Sequence, residues 1–489
     1  GELDGQLSGA SKYVTSNLTH DGAGGVWKTD YSGLSRPIEL DDRDVALFQT
    51  LLPTGCWLLP GALPLFKVRS IGSYSGPNGE LIERLELELR DTGTVKARVH
   101  INSATGMPVR TVMRSFGTSE TYELGAFEDV GGGLRVPKEM RLSNSMGEAE
   151  VKVSKAEVAE PGSGASFSAP EQPLTPLDTE FEGEGGPVEV VNTFGGHILV
   201  PVRIGGEDAG MFLLDTGCGG LVLDQRKASL LGLTQFGEVY AAVIGGTVKT
   251  SMVLANEMQV GPMKMKRPLF ACMDLSGLLE NYDVTGILGY DFFRRVVISG
   301  EIPEIFGEDP YLALWDPEKY YPITPPGEDP IEFQGLKFLE DTPHIEADIW
   351  AADDIVRQRG GKELMMLDIG AGESSCIFSD ETVRKLRLGN AMEAGNSLAA
   401  LSGGQVQTDN FVLGGLSICG QNFERKPSRA INSEELNLSK RAAGAVCAKI
   451  LSGCRFVIDY PRNRFGIKVI PKTFGDQVKG FLDLLYGAP

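Results

Sequence analysis

The 489-residue chain has no apolar run near the roughly 20 residues that a membrane-crossing helix needs. Stretches such as Cys56-Trp57-Leu58-Leu59-Pro60 stop far short, so no membrane insertion is expected. Positive charge is also scarce. Lys and Arg number 46 against 66 Asp and Glu, and the net charge of -20, with no local basic patch, argues against nucleic acid or an anionic membrane surface as a partner. Seven cysteines are too few for a disulfide scaffold, and their odd number leaves at least one thiol unpaired within the chain. Four histidines, His20, His100, His197 and His344, are scattered without metal-ligand spacing. No metal and no cofactor are expected. Gly131-Gly132-Gly133 lacks the strand-to-helix setting and the Lys of a phosphate loop, and reads as a turn. The sequence starts at Gly1 without a charged-then-apolar leader, which suggests a removed signal peptide and favours a secreted, periplasmic or organelle-lumenal setting over the cytoplasm.

What is present, 42% hydrophobic against 23% charged residues, is enough for several buried cores. Residues 1–154 read as a β-rich domain. Leu85 to Leu89, Val95 to Ile101 and Glu148 to Val153 alternate apolar with polar, the pattern of an antiparallel sheet with one wet face, curved over a helix near Leu40 to Leu52. Residues 155–187 are rich in Gly, Pro, Ser and Glu and read as a linker.

Beyond this linker the chain repeats itself. Gly196 to Val202 parallels Thr342 to Asp348, both edge-like strands. Leu213-Leu214-Asp215-Thr216-Gly217 parallels Met366-Leu367-Asp368-Ile369-Gly370. A short amphipathic helix follows each, over Gln225 to Leu233 and over Asp380 to Leu386 with Ser379 as its cap. The Gly-Gly turn signals Gly245-Gly246 and Gly403-Gly404 come next, and then Ile287-Leu288-Gly289 answers Ala445-Val446-Cys447. From aspartate to last landmark is 215 to 289 in one copy and 368 to 447 in the other. The repeat sets two lobes, 188–330 and 331–489.

A carboxylate at the end of an apolar strand needs compensation for its burial. If the two copies pack about a pseudo-twofold axis, Asp215 and Asp368 meet there, and two like charges at such range share one proton. One then serves as general base on a bound water and the other as general acid, with no covalent intermediate.

These motifs resemble the aspartic proteases of the retroviral-like (retropepsin) class, duplicated within one chain, over residues 190–470. The resemblance implies a mainly β, bilobal pseudo-twofold fold behind an N-terminal antiparallel β-rich accessory domain. It implies Asp215 and Asp368 as catalytic residues, Thr216, Gly217, Ile369 and Gly370 as loop supports, and flaps at Ile244, Gly245, Gly246 and at Ser402, Gly403, Gly404 that close over an extended peptide or protein substrate. The lobes pair within the chain, so a monomer suffices. A second Asp91-Thr92-Gly93, after the charged Arg90 and without a partner copy, reads as a hairpin turn.

Two departures bear on activity. Ile369 carries no hydroxyl, and Cys447 stands where the first copy has Gly289. The sequence therefore leaves two readings: an endopeptidase with an asymmetric dyad, or an inactive aspartic-protease-like module that binds peptide or protein. Cys218, without a neighbouring base, reads as a small buried residue rather than a nucleophile. The N-terminal region is similar in pattern to the half-barrels of lipoprotein carriers, and a substrate- or partner-binding role is favoured for it over a prodomain or a cap. Val478 to Tyr486 reads as a short amphipathic helix packed on a lobe.

Overall fold

The computed structural model describes residues 2–3, 16–20, 26–29, 34–54, 57, 63–90, 95–115, 118–131, 134–144, 147–156, 173–243, 246–279, 281–305, 308–352, 360–389, 393–394, 398–399, 405–433, 435–436 and 441–470. They fall into two compact units. One is Gly1–Gln172 with Phe236–Tyr240 and Phe338–Glu340; the other is Pro173–Gln235, Ala241–Lys337 and Asp341–Pro489.

The first unit is built on a seven-stranded antiparallel sheet running from Phe66–Ser75 at one edge to Gly147–Lys152 at the other. In the strand Leu81–Leu89 the alternation is realised directly. Leu87 and Leu89 are buried under Leu47, Phe48, Leu51 and Leu52 of the helix Leu40–Thr54. Glu86 and Glu88 face the other way, paired with Arg69 at 2.5 Å and Lys67 at 3.3 Å. The helix opens with Asp41 and Asp42 in its first turn, where acidic side chains oppose the helix dipole. Asp91-Thr92-Gly93 lies outside the described residues, between two strands paired antiparallel, with Leu87 opposite Ala97.

The second unit begins inside the stretch read as a linker. Thr179–Phe181 pairs with Met263–Lys266, and Gly185–Pro187 with Tyr311–Trp315. Asp178 is hydrogen-bonded to the fully buried Arg295, with Oδ2 2.9 Å from Nη2. Composition alone hid these three-residue strands, because their pairing partners lie far along the chain.

Each lobe holds six strands that define its architecture. In the first they are β1 (Ile198–Ile204), β2 (Glu207–Leu214), β3 (Leu221–Asp224), β4 (Gly246–Leu254), β5 (Leu269–Met273) and β6 (Val284–Leu288). In the second they are β7 (Thr342–Ala351), β8 (Gly360–Asp368), β9 (Cys376–Ser379), β10 (Thr408–Ile418), β11 (Gln421–Ile431) and β12 (Ala442–Cys447). The strand order is β1-β2-β6-β3-β5-β4 in one and β7-β8-β12-β9-β11-β10 in the other. Orientation matches as well: β2 and β6 are parallel, as are β8 and β12, and so are β3 with β5 and β9 with β11.

Register corrects two details of the sequence comparison. Leu199 lies opposite Leu213, and His344 opposite Met366, each pair two residues before its aspartate, so Leu199 corresponds to His344 rather than to Ile345. Nor are β1 and β7 edge strands. β1 also pairs with Glu257–Val260, and β7 with β10. Asp224 caps the helix Gln225–Leu230 through Arg226 and Lys227 N–H, and Gly232, at a φ of 67° that suits glycine, follows its end before Leu233. Ser379 caps Asp380–Leu386 through Thr382 N–H at 3.0 Å.

A six-stranded sheet joins the lobes. Val297–Ile302 from the first lobe pairs antiparallel with Cys454–Asp459 from the second, Val297 opposite Asp459 and Ile302 opposite Cys454. The chain is thus mainly β and bilobal, with an N-terminal antiparallel β-rich unit.

Candidate active site

Asp215 and Asp368 occupy the same topological position. In each lobe the strand leading to the aspartate runs parallel to the strand carrying the last landmark, with Leu214 opposite Leu288 and Leu367 opposite Val446. Behind each loop the same backbone bond recurs: Tyr290 N–H donates to Cys218 O, and Ala448 N–H to Ala371 O, both at 2.9 Å.

The triplets interlock across the lobe boundary. Thr216, fully buried, donates from Oγ1 to Leu367 O at 2.6 Å and accepts from Ile369 N–H at 2.9 Å. Ile369, equally buried, has no group with which to return the bond. Gly217 lies flat on Asp368, so that a Cβ there would stand 2.7 to 2.9 Å from the carboxyl atoms. Gly370 lies as closely on the carboxyl of Asp215. Both glycines are required by close approach, not by their dihedral angles.

The two carboxyl groups lie within hydrogen-bond reach of each other, so that the pair can share one proton. Burial, followed by the charge of Asp368, pushes Asp215 well above the usual carboxylate range. Burial raises Asp368 too, opposed by the N–H groups of Ala371 and Gly370, each 3.0 Å from Oδ1. Gly217 N–H plays that part for Asp215 at 2.8 Å. Such a pair gives up its protons in two steps that belong to the dyad as a whole.

The departures now have a physical setting. A Cβ on Gly289 would collide with Cys218 O and Gly220 O. Cys447 is tolerated because the loop of the second lobe is two residues longer, 368 to 376 against 215 to 221 between matching ladder positions. Cys218 keeps its proton: burial, then the charge of Asp215, lifts its thiol to about 12, and Sγ donates to Gly220 O at 3.4 Å. That removes it as a nucleophile at neutral pH.

Of the expected flap residues, Ile244, Gly245, Ser402, Gly403 and Gly404 lie outside the described residues. Gly246 opens β4, and Leu398–Ala399 pairs antiparallel with Gln405–Val406 on either side of 400–404, as a hairpin requires.

Sequence reasoning missed three neighbours of the site. Glu373 follows Gly370 in the longer loop at a φ of 63°, donates its N–H to Gly195 O of the first lobe at 2.6 Å and accepts from Arg429 Nη2 at 2.7 Å. Arg429 sits on β11 opposite Ile377, where the first lobe has Ala271 opposite Val222. Tyr460, fully buried, lies just past the strand Cys454–Asp459 with its ring 6.0 Å from that of Tyr290, behind the loop of Asp215. None has a local motif, since each reaches the site only through strand pairing.

A family model described as aspartyl protease matches residues 200–292. Among solved structures, the aspartic proteinase from Irpex lacteus is similar over 60% of this chain and 99% of that chain, at 12% identity and a TM-score of 0.42. No curated protein matches the chain. The first lobe is thus similar in sequence to aspartyl proteases, and the strand order of the second repeats it.

Proposed function

We propose that the chain is an aspartic endopeptidase acting on extended peptide segments. One observation carries the reading: two aspartates from topologically matching loops face each other, each resting on the glycine of the other triplet. In this reading the charged carboxylate of the pair Asp215 and Asp368 takes a proton from a water placed between them. The protonated one gives its proton to the carbonyl oxygen of the scissile amide, and the tetrahedral species collapses with a proton returned to the leaving nitrogen. Thr216, Gly217, Ile369 and Gly370 hold the loops, and the segments expected to act as flaps bind the substrate backbone as an added strand. The matching strand orders support an origin by internal duplication. Ile369 favours the second reading, a peptide- or protein-binding module without turnover.

The test is cleavage of a mixed peptide library from acidic to neutral pH, with Asp215→Asn and a statine-type inhibitor as controls. Cleavage that the inhibitor blocks and that drops at least ~100-fold in the variant supports the peptidase. Binding without turnover by the unmodified chain supports the module.

A further inference from the structure

The basic patch that is missing along the chain is present across its strands. In the first unit Leu87, Leu89, Ala97, Val99 and Met113 pack with the helix Leu40–Thr54, so their sequence neighbours point to the other face of the sheet. On the five strands from Phe66–Ser75 to Thr118–Leu124 the acidic members of that face are Glu86, Glu88 and Glu123, and each is taken. Arg69 holds Glu86, Lys67 and Lys96 hold Glu88, and Arg110 holds Glu123. Arg84, Arg98 and Arg114 add three positive charges with no carboxylate partner among the described residues. The face therefore carries seven positive charges against three negative, an excess of four on a chain whose total is -20.

The arrangement is as telling as the count. Lys96 lies directly opposite Arg114, and His100 lies between Arg84 and Arg110 on the adjacent strands. At the other end of the same sheet Arg141 lies between Glu123 and Glu150, and Glu139 opposite Lys152. A face that only has to be wet gains from the second pattern and loses from the first, because like charges placed opposite each other repel. The basic end is open: the side chains of Lys67, Arg69 and Lys96 are 55%, 71% and 51% exposed. Tyr74 orders its middle, with its hydroxyl 3.0 Å from His100 Nδ1 and the Arg84 guanidinium 6.0 Å from its ring centroid. Burial, then the charges of Arg110, Arg84 and Arg98, hold the His100 ring below its ordinary range, so a neutral ring sits among guanidinium groups.

We propose that this face docks an acidic, extended segment of another protein. From Phe66–Ser75 to Pro108–Ser115 the basic end spans three interstrand steps, roughly 14 Å, which an extended segment crosses in about four or five residues. Arginine suits carboxylates there because its fork meets both oxygens at once. A lipid surface or a nucleic acid duplex fits less well. With an excess of four here, the rest of the chain carries -24 (-20 less 4), and a ligand reaching beyond the patch meets that repulsion. A short segment ends inside the patch. The proposal does not depend on the peptidase reading.

The experiment uses the full chain and a fluorescein-labelled hexaglutamate peptide, followed by fluorescence anisotropy. The unmodified chain is expected to bind saturably, and at least about 5-fold more weakly at about 200 mM than at about 50 mM salt, since exposed charges are screened. The triple variant Arg84→Gln, Arg98→Gln, Arg114→Gln is expected to bind at least about 10-fold more weakly. A second triple variant, Lys138→Gln, Arg141→Gln, Lys152→Gln, changes the net charge equally at the other end of the sheet and should stay within about 2-fold of the unmodified chain. One readout needs no altered surface. In the unmodified chain the NMR ring signals of His100, assigned with His100→Asn, should move as peptide is added, while those of the buried His344 stay. Four results overturn the proposal. They are no binding up to about 1 mM peptide, an equal loss in both triple variants, His100 signals that do not move, and tighter binding to phosphatidylserine–phosphatidylcholine vesicles or a DNA duplex than to the peptide.

Discussion

Acid will destabilise the second unit through His344, and replacing that residue by leucine will remove the effect. His344 lies on β7 opposite Met366 and is 1% exposed. Its Nδ1 is 3.1 Å from Thr342 O, so that nitrogen carries the hydrogen, and the buried Nε2 has no hydrogen-bond partner. Burial pushes the ring from 6.5 down to about 4, opposed by the Thr342 carbonyl. Above about pH 6.5 the ring is neutral folded or unfolded, and it contributes nothing to the pH dependence. Between 6.5 and about 4 the unfolded chain takes up a proton that the folded chain refuses, so stability falls with pH and levels off below about 4. At 1.36 kcal/mol per pH unit the loss amounts to about 3 kcal/mol. The dyad works in the opposite sense. Its raised carboxyl groups gain protons in the folded state as pH falls, which stabilises the fold, but that contribution is common to both proteins and cancels in their difference. Leucine is the residue the first lobe places at the matching position, Leu199, and His344→Leu is close to volume-conserving. The assay is hydrogen exchange over 342–351 and 360–368, for both proteins, from about pH 7 to about pH 4 with intrinsic rates divided out. The unmodified chain should lose about 3 kcal/mol more protection than the variant over that range. Parallel curves would refute the reasoning, because they would mean that the ring ionises in place.

Three further outcomes follow from the same geometry. Thr216→Val keeps the shape but strands Leu367 O and Ile369 N–H, and should cost about 2–4 kcal/mol in chemical denaturation; a cost below ~0.5 would show that the interlobe bonds carry nothing. Gly370→Ala drives a methyl into the Asp215 carboxyl and should cut peptide cleavage by about 100-fold or more while circular dichroism stays unchanged, so retained activity would contradict the placement of the two groups. Asp178→Ala leaves the fully buried Arg295 without its carboxylate and should lower stability by about 3–5 kcal/mol, seen in thermal melts; an unchanged midpoint would show that the segment before the first lobe is not tied down there.

Much of the fold was legible because local chemistry and long-range order agree in it. The helix Leu40–Thr54, the strand Leu81–Leu89 and the Ser379 cap each follow from spacing or from a single side chain. The two lobes were legible for a different reason. A chain that repeats its landmarks in order supplies its own comparison, and Leu214 with Leu288 reappears as Leu367 with Val446 in the same register. What stayed hidden depends on pairing between distant segments. Nothing local marks Glu180 as a strand residue opposite Lys264, or places Arg429 where the first lobe has Ala271. The loop insertion that accommodates Cys447 is invisible without register, because the aspartate-to-landmark distance also includes length differences elsewhere.

The differences between the lobes bear on the choice between the peptidase and the binding module. Where the first lobe has Leu199, Ala271 and Thr216, the second has His344, Arg429 and Ile369, polar for apolar at two of these positions and without the hydroxyl at the third. Had it drifted toward an inert scaffold, the first group to give up would be the most expensive one, a carboxylate only 8% exposed and set against a second carboxyl. Replacing Asp368 by asparagine or leucine would relieve that cost at once, since the Thr216 bonds run to backbone atoms and do not need the carboxylate. Yet the carboxylate is kept, with two N–H groups aimed at Oδ1 and the glycine of the opposite triplet laid against it. On the peptidase reading proposed above, this cost is carried for the charge that the dyad holds where the carboxyls of Asp368 and Asp215 meet.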